Sequence, residues 1–120
     1  VEPLVDAVVE KPETVVLVRN PVEATRLNED GLAARKRGDH AAAMQLYKEA
    51  LAQDQNHVWA RYNYACELAL AGQTKDALNE LTFLHKLGTS DAKRALGAAR
   101  KDSDFASIKD SGQFFRLTNF

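Results

Sequence analysis

The chain has 120 residues, 45% hydrophobic and 28% charged, which suits one domain of ordinary size with a real core. A formal net charge of −1 gives no global field to attract nucleic acid or an anionic membrane surface. The one cysteine, Cys66, excludes an internal disulfide, and no apolar run is long enough to cross a bilayer.

Residues Val1 to Arg19 differ in texture from the rest. Pro3 and Pro12 interrupt them, and Thr14 to Val18 is a β-branched, apolar run that favours extended backbone. Leu4, Val5, Val8 and Val9 recur at helical spacing behind Pro3, so the arm is expected to be extended or partly helical and to rest against something. The chain opens on Val1 with no cationic, then apolar, leader, so the expectation is that the original N-terminus is missing; the compartment is left open.

Asn20-Pro21-Val22-Glu23 announces a first helix: Asn20 as N-cap, Pro21 at the first helical position, Glu23 completing a capping-box-like pair. This helix should run to Arg37 and bury Leu27, Gly31 and Ala34, with Gly38 as its stop. Asp39 caps a second helix with an inner stripe of Ala43, Leu46, Tyr47, Ala50 and Leu51. Asp54 to His57 form the turn out of it. A third helix takes Val58 to Ala71, facing Tyr64, Ala65 and Leu68 inward, and stops at Gly72. Thr74 is expected to cap a fourth, which presents Ala77, Leu78, Leu81, Leu84 and Leu87 before Gly88. Ser90 or Asp91 starts a fifth helix, Ala92 to Arg100.

The first four helices repeat. Gly31 and Ala65, Ala34 and Leu68, Gly38 and Gly72, Ala43 and Ala77, Tyr47 and Leu81 are all separated by 34 positions. A fixed period of this length is the signature of stacked helical hairpins. The small residues mark where helices cross closely, and Tyr47, Tyr64 and Leu81 fill the spaces beside them.

The pattern resembles the tetratricopeptide repeat. Gly31, Gly38, Ala43, Tyr47 and Ala50 supply the first copy, with Ala34 at its eleventh position. Ala65, Leu68, Gly72, Ala77 and Leu81 supply the second, with Tyr64 at its seventh. Departures are Asp30 at the first copy's seventh position, Gln55 for the closing proline, and Leu84 where the family prefers alanine. The resemblance implies an all-α, right-handed α-solenoid of two hairpins. Its expected organisation is an N-terminal arm (1–20), two repeats in 21–89 (24–57 and 58–89), and a capping helix with a closing tail (90–120). Asp102-Ser103-Asp104-Phe105, Ile108 and Phe114-Phe115 are similar to the tail that closes some bacterial arrays. Phe105, Ile108, Phe114 and Phe115 are read as a lid on the last repeat, in preference to a ligand-binding aromatic cluster.

In this family the first helix of each hairpin lines a concave face. Carried over by position, that face receives Thr25, Asn28, Glu29, Leu32, Arg35 and Lys36, then Trp59, Tyr62, Asn63, Cys66 and Leu70. The expected partner-binding residues are Asn28, Leu32, Arg35, Lys36, Trp59, Tyr62, Asn63 and Cys66. The resemblance implies that Asn63 holds the backbone of an extended peptide. Trp59 and Tyr62 offer the rigid aromatic area typical of hot spots, or Trp59 plugs the joint between hairpins. Arg35 and Lys36 neutralise an acidic side chain, or form a solvated helix face. The two-carboxylate clamp of chaperone-binding members is rejected, because Asn28 and Leu32 do not match its first-repeat lysine and asparagine.

No catalytic constellation competes with this reading. His40, His57 and His85 have no ligand spacing, no serine sits on a nucleophile elbow, and no glycine-rich phosphate loop precedes a helix. Cys66 reads as a packed hydrophobe before it reads as a nucleophile. The expectation is a non-catalytic adaptor without metal or cofactor, binding a partner peptide or helix in its groove, with no nucleic acid and no membrane insertion. Two alternatives stand beside it: self-assembly through the N-terminal arm, and an interaction domain of a larger protein with catalysis elsewhere.

Overall fold

A computed structural model describes residues 19–119, and the first helix it describes starts with a cap. The Asn20 side chain accepts from the Glu23 N–H at 3.3 Å, and Pro21 opens helix α1, Pro21–Lys36. The reciprocal half of the capping box is not formed. The Asn20 N–H donates instead to the Gln53 carbonyl at 2.7 Å, and the Glu23 carboxylate turns to Arg26. Helices α2 (His40–Gln53), α3 (Val58–Leu70), α4 (Thr74–Leu87) and α5 (Ser90–Ala99) follow. A 3-10 turn, η1 (Ser103–Ile108), and helix α6 (Gly112–Thr118) close the chain. The fold is all-α. Among the described residues the β-type pairing is one isolated antiparallel bridge between Arg19 and Asp54. The expectations for the arm, including the Thr14 to Val18 run, lie outside the described residues.

The two hairpins, α1–α2 and α3–α4, turn by the same device. Gly38 and Gly72 adopt φ of 82° and 80°, a left-handed conformation that only glycine enters without steric cost. The next residue then donates back into the first helix: Asp39 N–H to Ala34 O and Gln73 N–H to Leu68 O, both at 2.9 Å. The copies part at the cap. Asp39 accepts from the Ala42 N–H at 3.1 Å, whereas Gln73 makes no side-chain cap bond. Thr74 does not cap α4; it is the first helical residue, because the shared turn places the cap at 73. Similarly, α5 is capped by Thr89, which accepts from the Ala92 N–H at 3.1 Å, and not by Ser90 or Asp91.

Each helix packs on its neighbours in sequence: α1 on α2, α2 on α3, α3 on α4, α4 on α5, with α3 also beneath η1. Ala34, Ala43, Ala50, Ala65 and Ala77 are all fully buried where helices cross. At Gly31 the approach is closest, since a Cβ there would stand 2.5 Å from Cε1 of Tyr47. The core is uneven. One large cluster joins α3, α4, α5, η1 and α6, while α1 and α2 contribute two small ones, Ala24-Leu27-Ala50-Leu51-Ala60 and Ala34-Ala43-Tyr47. Half-buried Tyr64 packs against all three.

Phe105, Ile108 and Phe114 close the last helices as a lid, but Phe115 does not join them and is 58% exposed. Adjacent residues of a helix point about 100° apart, so only one of the two phenylalanines can face the core. Leu117, three residues beyond Phe114, takes the second inward position.

Candidate partner-binding groove

The groove follows from helical spacing on two neighbouring helices. Thr25, Asn28, Glu29 and Leu32 recur at three- and four-residue steps on α1, as do Trp59, Tyr62 and Asn63 on α3. With His57, which precedes α3, they line a cavity of about 510 Å³ between the two helices. Of the expected binding residues, this face brings together Asn28, Leu32, Trp59, Tyr62 and Asn63.

Their states differ. Leu32 is an exposed large hydrophobe and Trp59 is half-buried, so both offer apolar surface. The Asn63 amide donates to Oδ1 of Asn28 at 2.9 Å, which ties α3 to α1 and leaves Asn63 a carbonyl and a second N–H. Tyr62 is only 7% exposed, and its hydroxyl donates to Asp102 at 2.6 Å. Burial first, and the Asp102 hydrogen bond second, push its phenol pKa far up. Trp59, Tyr62, Phe105 and Phe114 contact one another in series, with ring centroids 5.6, 5.7 and 5.7 Å apart. Tyr62 therefore connects the groove floor to the lid.

Arg35 and Cys66 leave the groove. Arg35 Nη1 pairs with Asp104 at 2.6 Å and lies 3.7 Å from Glu67, because η1 folds back over α3 and delivers Asp104 to the end of α1. Asp104 accounts for most of the rise in the Arg35 pKa. Cys66 is 1% exposed, and its thiol donates to Asp102 at 3.8 Å. Burial pushes that thiol up and keeps it protonated. Lys36 stays exposed, one turn beyond Leu32 on the same stripe.

A larger cavity of about 760 Å³ lies at the opposite end of these helices, among Arg35, His40, Met44, Glu67, Leu70 and Asp104. Its polar side is largely turned in on itself: His40 Nδ1 meets Glu67 Oε1 at 2.8 Å, and Arg35 is held by Asp104. Glu67 Oε2, at this cavity, and the Tyr47 hydroxyl, in the core, are buried without a hydrogen-bond partner among the described residues. Burial, then the Glu67 charge, raises Tyr47 to about 12. Cys66, Asp102 and Asp104 also bring ligand-type atoms within 4.8 Å of one another. Each is already engaged, by Asp102, Tyr62 and Arg35 respectively, so this cluster anchors the closing segment.

The groove-lining residue that spacing did not reveal is His57. Its side chain caps α3, accepting from the Ala60 N–H at 3.1 Å, and reaches Thr25 of α1 at 3.0 Å. The available signal was its place directly before the first helical residue, where a side-chain acceptor is needed.

Paired hairpins with matching turns and a groove between their first helices define a helical-repeat interaction protein. A family model described as Tetratricopeptide repeat matches residues 34–109, and the chain belongs to that family. No curated protein and no solved structure gives a significant match. Repeats of this family mediate protein–protein interaction and are typically non-catalytic. No helix among the described residues is long and apolar enough to cross a membrane.

Proposed function

We propose that this chain is a non-catalytic adaptor that holds a partner's peptide or helix in the α1–α3 groove. The observation that carries the reading is the conjunction of exposed Leu32, half-buried Trp59 and half-satisfied Asn63 in one cavity. An apolar anchor of the partner packs on Leu32 and Trp59, and the free amide groups of Asn63 take its backbone. Lys36, at the open end of the stripe, is the cation that meets an acidic neighbour of that anchor. Arg35 is spent on Asp104 and does not contribute. Tyr62 supports the floor.

The test is selection of binding peptides from a random displayed library, followed by titration calorimetry on variants. Leu32→Glu and Asn63→Ala should weaken the selected peptides by about tenfold or more while helicity by circular dichroism is unchanged. Leu70→Glu, at the other cavity, should leave them alone. Weakening by Leu70→Glu together with indifference to Leu32→Glu would place the site elsewhere.

A further inference from the structure

His57 joins three things at one ring. Its Nδ1 accepts the Ala60 N–H at 3.1 Å, and an accepting ring nitrogen carries no proton. The proton of the neutral imidazole therefore sits on Nε2, 3.0 Å from Oγ1 of Thr25, and is donated to it. Thr25 lies one turn before Asn28 and Glu29 on the α1 wall, and Ala60 lies in the first turn of α3. The ring thus completes the start of one wall and is fastened to the other. Further along the groove the walls are joined again by Asn28 and Asn63, a pair that does not titrate.

We propose that His57 is the positioning residue of the groove, a latch that holds α1 to α3 only while its imidazole is neutral. The consequence for binding rests on the groove being the partner site. Protonation puts a hydrogen on Nδ1, so two donors face each other across the capping distance. It also sets a cation at the positive end of the α3 dipole. Nε2–H itself survives protonation, so the contact with α1 is lost through the cap: relieving Nδ1–H against the Ala60 N–H turns the ring away from Oγ1 of Thr25. The charged groups around the ring are Asp54, paired with Arg19 at 2.7 Å, Glu29 on the α1 rim, and Arg61 one turn along α3, itself held by Glu80 at 2.8 Å. Burial lowers the His57 pKa below its ordinary 6.5 and outweighs the opposing pull of Asp54. The folded value lies below the unfolded one, so the latch contributes in full above the ordinary value. Its contribution is lost as pH falls from there through the folded value.

The experiment is an NMR pH titration of the full chain from about pH 8 to about pH 5, following imidazole nitrogens and backbone amides. His57 should show the Nε2–H tautomer and a midpoint below the ordinary histidine value. The Ala60 amide should shift with the same midpoint, and hydrogen exchange in the first turn of α3 should accelerate below it. His57→Asn, which keeps an accepting cap but cannot titrate, should abolish the Ala60 transition. An Nδ1–H tautomer, a midpoint at or above the ordinary value, or a persisting Ala60 transition in His57→Asn overturns the proposal. None of these readouts needs a ligand, so their failure is distinct from failure of the groove. With a selected peptide, affinity should fall several-fold across the same midpoint in the native chain and stay level in His57→Asn. An equal fall in both removes the latch from control of binding.

Discussion

Gly31 and Tyr47 show how little slack the first hairpin has. The ring lies where a Cβ of residue 31 would be, at 2.5 Å, and Tyr47 is itself fully buried. Gly31→Ala should therefore cost about 1–3 kcal/mol in chemical denaturation, as an overpacked core does. The Tyr47 hydroxyl is a different matter, being buried with no hydrogen-bond partner among the described residues. Tyr47→Phe removes an unsatisfied polar group and keeps the ring, so the same denaturation curve should show no loss of stability. Sequence spacing identified both positions as inward. It could not show that one residue's absent side chain is the other's space, because that depends on the α1–α2 crossing distance.

At the scale of the element, the two hairpins differ most at the starts of α2 and α4. Asp39 and Gln73 are equivalent positions after equivalent glycines, yet only Asp39 caps its helix. Gln73→Asp should supply the missing acceptor and a negative charge at the helix N-terminus. A gain of about 0.5–2 kcal/mol is expected, read as a raised denaturation midpoint with an unchanged slope. The cap positions are legible to within one or two residues: Asn20 and Asp39 are the caps expected, Thr74 stands one residue past the cap of α4, and Ser90 and Asp91 stand one and two past Thr89, the cap of α5. An error of that size is the natural limit here, since several polar side chains stand at each helix start and only the turn geometry selects among them.

Across the whole molecule, burial is concentrated in the second hairpin and the closing segment, with the first hairpin attached through small clusters. In a linear array, stability is the sum of local and neighbour terms, so the first hairpin should open first. Hydrogen exchange should protect α3 and α4 amides more than those of α1 and α2. Tyr64 touches all three clusters, and Tyr64→Ala should widen the gap by about 1–3 kcal/mol, measured as faster exchange that is largest in α1 and α2, where it removes the greater share of a small core. A uniform loss of protection over every helix would mean that the clusters act as one core. The unevenness also bears on the groove, whose two walls come one from each hairpin.

The sequence by itself determined the helical class, the 34-residue hairpin period, the left-handed glycines and most of the groove stripe. These are local properties: spacing places side chains on a helix face, and glycine alone enters the turn conformation freely. Only the tertiary structure decided which residues of that stripe remain available. Asp102 lies 40 residues from Tyr62 and 36 from Cys66, and Asp104 lies 69 from Arg35, yet the closing segment folds back to engage all three. His57 became part of the groove only because α1 packs within reach of its ring. Contacts of that kind join side chains from different helices, and no periodicity along one helix encodes them.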